Sequence, residues 1–375
     1  PSGKITNYTA QNSDIFSGQE GPIESLFVDS RNRLWIGLTE KLILGSISKD
    51  GHLKVLSNED ISHVRMMKEG QNGTLWIGSW DGLFKFDGKE APNKKIQRIY
   101  LSNVPDLWIC NSGELLFSSY GDGIFRLAEG DSVPVRLKMS EKEMTVAQGC
   151  VTIFEDSQNR IWFGSYGHGM LCRFKDKYRI FTKNDGLPSN NILCFQEDRQ
   201  GQIWMSTSNS ISKLNLSDTT FTNYSTSDGT LGNQYHEKGG LKYSDGRLFF
   251  AGNHGLTFFN PNVVLESTNI PVVHIEDLKI LNRRIQPEKN NMVVQANIPY
   301  ISQIFLNHKQ SNFSLNYTGI DFIAPDKLNY AYKLEGFDDD WNYMGNFRRA
   351  TYSNLPSGKY TFYVKSINSK GVESP

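Results

Sequence analysis

The sequence predicts an all-β chain: a β-propeller with six visible repeat units over residues 1–262, then an immunoglobulin-like β-sandwich over residues 263–375. Three observations predict it. A Trp-centred frame recurs every 40–46 residues through the first two-thirds of the chain. Each copy of the frame sits among four strand-like runs, the period of a propeller blade. After Pro261 the frame stops, while tyrosine-rich strand-like runs continue for about the length of one sandwich domain.

The frame reads Leu34-Trp35-Ile36-Gly37, Leu75-Trp76-Ile77-Gly78, Ile161-Trp162-Phe163-Gly164 and Ile203-Trp204-Met205-Ser206. Leu115–Ser118 and Leu248–Ala251 are weaker copies, and the Trp position recurs at intervals of 41, 40, 46, 42 and 45 residues. Three residues before it stands Asn32, Gly73, Gly113, Asn159, Gly201 or Gly246. Gly and Asn tolerate positive φ, so each is read as the turn of a tight hairpin. Six residues before the Trp stands Asp29, Asp156 or Asp198, with Gly70 in the second copy. These carboxylates are read as acceptors that hold the turn. A third strand follows, as in Gly82–Phe86 or Gly123–Leu127, and then a more polar fourth, as in Lys95–Ile99 or Tyr178–Thr182. The Trp strands are apolar on both faces, as strands covered on both sides by neighbouring blades must be. Ile5-Thr6-Asn7-Tyr8-Thr9 copies the fourth-strand sequence Phe221–Ser225, while the sixth unit lacks a fourth strand. The N-terminal segment is therefore expected either to complete that unit or to belong to a preceding blade.

Beyond Pro261, the runs Pro271–Ile275, Phe313–Tyr317, Tyr330–Leu334 and Tyr360–Val364 supply sandwich strands, and Leu355–Tyr360 reads as a tyrosine corner. One more strand is needed to finish the sandwich, so a continuation past residue 375 is expected. The chain opens on Pro1 rather than Met, which fits a processed or excised piece. Almost no helix is expected.

Composition narrows the function. Forty basic residues balance 40 acidic ones. A net charge of zero argues against direct nucleic-acid contact and against a polybasic membrane-surface protein. Cys110, Cys150, Cys172 and Cys194 form no Cys-x-x-Cys, so no zinc site of the usual spacing is expected. No Gly-rich phosphate loop or nucleotide fingerprint appears, so no cofactor is expected either. The four fit buried thiols inside strands, and a Cys172–Cys194 pair fits the spacing as well.

Loops joining second to third strands share a face with the links between blades. That face collects Trp80, Asp81, Tyr120, Asp122, Tyr166, His168, Asn209, Asn253 and His254, with Tyr235 and His236 from a link. Aromatic faces stack on sugar rings, and amides and carboxylates orient hydroxyls. These eleven residues are the candidate ligand-binding set. Asp81 and Asp122 could instead form a glycosidase pair, which would make the chain a secreted propeller enzyme acting on polysaccharide.

The frame Asp-x-x-[Asn/Gly]-x-[Leu/Ile]-Trp-[Ile/Phe]-Gly, followed by Gly-[Leu/Ile]-x-x-[Phe/Leu], resembles the two-component regulator propeller repeat. The spacers Asn184–Asn190 and Ser227–Asn233 are similar to the links between that family's blades. Tyr330-x-Tyr332-x-Leu334-x-Gly336, Trp341 and Arg349–Tyr360 resemble the family's tyrosine-rich immunoglobulin-like domain. The resemblance covers nearly the whole chain. It implies the periplasmic sensor region of an inner-membrane hybrid two-component system of Bacteroides type. In such systems a membrane helix, histidine kinase, receiver and DNA-binding domain follow, and the sensor detects carbohydrate breakdown products. An oligosaccharide ligand, no catalysis by this piece, and a homodimer through the sandwich are the matching expectations. The family's propellers usually have seven blades.

Overall fold

The computed structural model describes residues 22–48, 51–87, 96–208, 210–232, 234–264, 270–286, 298–321, 325–368 and 372–375. The strand expected over Ile5–Thr9, and Asn209, lie outside them. The chain divides into two compact units, 1–262 and 263–375.

The first unit is a β-propeller. Five blades are four-stranded antiparallel meanders, spanning 23–59, 64–100, 107–136, 150–181 and 192–224. The sixth, 235–259, shows three strands among the described residues. All six turn positions have positive φ: Asn32, Gly73, Gly113, Asn159, Gly201 and Gly246. The expectation of almost no helix needs one correction. The longest interval between Trp positions holds a helix, Glu141–Gln148, in the link between the third and fourth blades. Glu143 Oε2 accepts the Ser140 N–H at 2.7 Å, half of a capping box, and Val146 and Ala147 are buried.

The repeat carboxylates do more than hold turns. Asp156 Oδ1 accepts the backbone N–H of Gln158 and Arg160, and Oδ2 accepts the Trp162 indole N–H at 2.8 Å. Asp29 and Asp198 bind the indoles of Trp35 and Trp204 in the same way, at 2.9 and 2.8 Å. Each indole is fully buried and packs onto the next blade: Trp35 on Phe86, Trp162 on Phe195, Trp204 on Phe259. Trp76 differs. Gly70 provides no carboxylate, and its ring is only partly buried, with Lys85 Nζ 5.8 Å from its centre. A second periodic link ties neighbouring blades. Glu69, Glu155 and Glu197 end their innermost strands, and each accepts a backbone N–H from the preceding blade's turn, at Ser30, Asn111 and Ser157.

The second unit is a two-sheet sandwich. One sheet orders Arg283–Arg284, Val272–Ile280, Phe313–Ile320 and Arg349–Tyr352; the other orders Asn342–Gly345, Asn329–Glu335 and Thr361–Ile367. Leu278, Leu315, Tyr317, Tyr330, Leu334 and Tyr352 are the centre of its core. The tyrosine corner is present: the Tyr360 hydroxyl donates to the Pro356 carbonyl at 3.1 Å. Gly358 leaves room for that ring, since a Cβ there would lie 3.0 Å from its Cζ.

Candidate functional site

Three successive blades present an aromatic side chain at one repeat position. The second strands of the second, third and fourth blades end on fully buried Ser79, Ser119 and Ser165. The next residue is Trp80, Tyr120 or Tyr166, exposed by 51%, 55% and 40%. The turns that carry them are tightly held. Ser79 Oγ accepts the Asp81 N–H at 3.0 Å, and Asp81 Oδ2 accepts from the Ser62 N–H and hydroxyl at 2.8 and 2.7 Å. Asp122 accepts from the hydroxyls of Ser119 at 2.8 Å and Tyr100 at 3.2 Å. Hydrogen bonds from Ser119 and Ser102 hold the Asp122 carboxyl below the ordinary carboxylate range. The two carboxylates thus serve as turn acceptors, and Asp122 is the opposite of a raised-pKa general acid. Trp80 stacks on His63 with ring centres 4.1 Å apart, and His63 Nδ1 lies 2.7 Å from Glu24 Oε1.

Toward the axis, the innermost strands carry one-residue bulges at Glu24, Arg65, Val151 and Leu193. The sixth blade carries a larger one. Between the pairs Tyr235–Gly252 and Gly240–Phe250, four residues, His236–Gly239, face a single partner residue. This insertion reaches three other blades. Glu237 Oε2 accepts from Arg65 Nη2, and its Oε1 from the Tyr166 hydroxyl, each at 2.7 Å. Lys238, at φ +56°, donates to the Pro105 carbonyl and lies 3.8 Å from Asp106 Oδ1. Asp106 Oδ2 accepts the Ile153 N–H at 2.7 Å. Burial pushes the Asp106 carboxyl up and the Lys238 ammonium down, each against the pull of the other. Burial, and then the bond to Glu237, raise the Tyr166 phenol to about 12.

The candidate set therefore divides. Trp80, Tyr120 and Tyr166 form an exposed arc, and Tyr166 joins it to the axial cluster. His168 and His254 are exposed on turns, and His236 is exposed at the start of the insertion. Gly232 packs beneath His254, where a Cβ would lie 2.6 Å from Nδ1. Asn253 donates to Gln234 Oε1 at 2.7 Å and works as a turn clamp. Tyr235 departs from the reading as a site residue. It is 7% exposed, with its hydroxyl 3.3 Å from Thr257 Oγ1, because the strand's inward pleat buries it before the insertion begins. Sequence reasoning missed Arg65, Glu237, Lys238, Asp106 and His63. The available signal was a spacing: Tyr235 precedes its Trp-position residue, Phe249, by 14 residues, where Ile23, Val64, Cys150 and Ile192 precede theirs by 12.

The four cysteines are buried and unpaired, and burial raises the thiols of Cys110, Cys172 and Cys194 to about 12. Among the described residues no cluster of His, Cys, Asp and Glu could hold a metal ion, and no helix is long and apolar enough to cross a membrane.

The fold is thus all-β, a propeller joined in sequence to a sandwich. More particularly, the chain carries two component regulator propeller repeats, matched at residues 147–167 and 186–209, and a Y_Y_Y domain, matched at residues 321–375. It is 23% identical over 310 residues to histidine kinase P4 of Formosa agariphila, covering 82% of this chain and 22% of that protein. Its fold is that of the extracellular domain of the hybrid two component system BT3049 from B. thetaiotaomicron. That match has a TM-score of 0.72 at 24% identity, over 95% of this chain and 54% of the other. The extracellular domain of the one component system BT4673 from the same organism matches with a TM-score of 0.53 at 16% identity, over 96% of this chain and 55% of the other. The chain thus spans about a fifth of the kinase and about half of each extracellular domain.

Proposed function

We propose that this chain is part of the ligand-sensing extracytoplasmic region of a hybrid two-component system, and that its propeller binds an oligosaccharide. The carrying observation is the arc of Trp80, Tyr120 and Tyr166, three exposed rings at one repeat position on rigid turns. Exposed rings so fixed lose little conformational freedom on binding and offer successive stacking faces to a chain of sugar rings. The Bacteroides extracellular domains and the Formosa kinase support the sensor setting. In that setting, the region lies in the periplasm, a membrane-anchored kinase follows, and the output controls carbohydrate-utilisation genes. Signal transfer through a homodimer of the sandwich completes this reading, since hydrogen bonds from turn to strand tie neighbouring blades to one another.

Incubation with oligosaccharide pools tests this. Stoichiometric binding without turnover is the expected result, weakened about tenfold by Trp80→Ala or Tyr120→Ala, near 1.4 kcal/mol each. Release of shortened sugars would replace the sensor by an enzyme. Sedimentation of the chain with and without a binding sugar tests the dimer, and an unchanged monomer in both would remove it.

A further inference from the structure

The axial cluster beneath the arc is balanced in charge. Arg65 faces Glu237 at 2.7 Å, and Lys238 faces Asp106 at 3.8 Å. Neither member of the outer pair is used up. A guanidinium has five N–H donors, and Arg65 gives one to Glu237 from a side chain that is 30% exposed. Glu237 accepts one bond on each oxygen and keeps further lone pairs, with 20% of its side chain exposed. Tyr166 sets an aromatic face directly beside this pair through its bond to Glu237.

We propose that the ligand is an uncharged oligosaccharide, one of whose rings lies on Tyr166 while two adjacent hydroxyls bridge Arg65 and Glu237. This rests on the oligosaccharide reading above and narrows its chemistry. A sugar hydroxyl both donates and accepts, so neighbouring hydroxyls complement a side-by-side guanidinium and carboxylate. A uronate or sulfate would gain Arg65 but meet the Glu237 carboxylate, held in place by two bonds, and would leave a charge uncompensated in a neutral cluster. The insertion positions this pair. Lys238 is fixed below by Asp106 and Pro105, so Glu237 is presented from a strand anchored to the third blade rather than from a free loop.

The test is calorimetry on the full chain with two pools of linear oligosaccharides of three to six residues. One contains neutral gluco-, xylo-, manno- and arabino-oligosaccharides; the other contains their uronate- or sulfate-bearing counterparts. The expected result is binding from the neutral pool, unchanged in affinity between low and high salt, and lowered at least tenfold by Glu237→Gln and by Arg65→Met. If either variant unfolds, Tyr166→Phe removes only the hydroxyl that holds Glu237 and must still lower affinity severalfold. Binding confined to the charged pool, a steep loss of affinity with salt, or full affinity in these variants overturns the neutral-ligand inference and leaves the oligosaccharide reading standing. Silence from both pools removes the oligosaccharide reading, and this inference with it.

Discussion

Replacing Asp156 by Ala should destabilise the propeller far more than an ordinary turn substitution. In the folded chain its carboxylate, almost wholly buried, accepts two backbone N–H groups, the Arg160 Nε–H at 2.5 Å and the Trp162 indole N–H at 2.8 Å. The Ala variant leaves a buried indole donor unpaired, at a cost of about 1–3 kcal/mol, and removes charge-assisted bonds worth about 1.5–3 kcal/mol each where water cannot replace them. The turn amides and Arg160 regain some water, so the expected total is about 3–5 kcal/mol rather than the full sum. The second blade is an internal control. There Gly70 replaces the aspartate, and Thr74 N–H donates to Asn72 Oδ1 at 3.0 Å in a partly exposed turn. Asn72→Ala should cost only about 1 kcal/mol. Urea unfolding read by tryptophan fluorescence measures both, because six of the seven tryptophans lie in residues 1–262 and Trp341→Phe silences the seventh. A loss below about 1 kcal/mol for Asp156→Ala, or equal losses at the two sites, would refute the view that the carboxylate–indole bond anchors the blade.

Trp35→Ala, Trp162→Ala and Trp204→Ala should each cost about 3–5 kcal/mol, and Trp76→Ala clearly less, because its ring is partly exposed and lacks the carboxylate; equal urea midpoints would contradict this. Tyr360→Phe should cost about 1 kcal/mol, confined to the sandwich transition, by loss of the bond to Pro356; a shift of the propeller transition instead would refute it. Burial tends to raise the Asp29 carboxyl, but hydrogen bonds from Trp35 and Arg33 and the Arg33 charge outweigh it, so it lies below its ordinary 3.8. Its stabilisation is therefore complete above that value and is lost as pH falls through the lower folded value. The urea midpoint should drop below about pH 4 and do so less steeply in Asp29→Asn; parallel pH profiles for the two proteins would sink the assignment.

The parts that were legible in the sequence are those that repeat. The positive-φ turn recurs in all six blades, a large apolar residue fills the Trp position in each, and a carboxylate stands under the turn in three. Asp29, Asp156 and Asp198 could thus be read as turn acceptors from spacing alone. Their bonds to the indoles six residues on could not be read, because a spacing of six in a hairpin fixes no side-chain direction. The same limit applies to the candidate site. The exposure of Trp80, Tyr120 and Tyr166 was legible because the repeat puts all three at one turn position. Tyr235 was misassigned because it lies one residue ahead of a break in the repeat, where pleat and link are indistinguishable in sequence.

The rest of the axial cluster was hidden for the opposite reason: apart from the 14-residue spacing between Tyr235 and Phe249, nothing periodic marks it. Glu237 and Lys238 belong to an insertion found in one blade, and their partners Arg65, Tyr166, Asp106 and Pro105 come from three others. Sequence distances between these partners run from 71 to 172 residues. Such distances do not keep the partners apart, because the first strands of successive blades lie side by side whatever their separation in the chain. The periodic strands thus carry the fold, and the His236–Gly239 insertion, a departure from the period, carries the proposed recognition. That division makes Glu237 the discriminating position. A stabilising role alone would make Glu237→Gln lower the urea midpoint and leave ligand affinity intact. A recognition role makes affinity fall while the midpoint stays nearly constant, because the Gln carbonyl still accepts from Arg65 and its NH2 can donate to the Tyr166 hydroxyl oxygen, but no charged acceptor is left for a sugar hydroxyl.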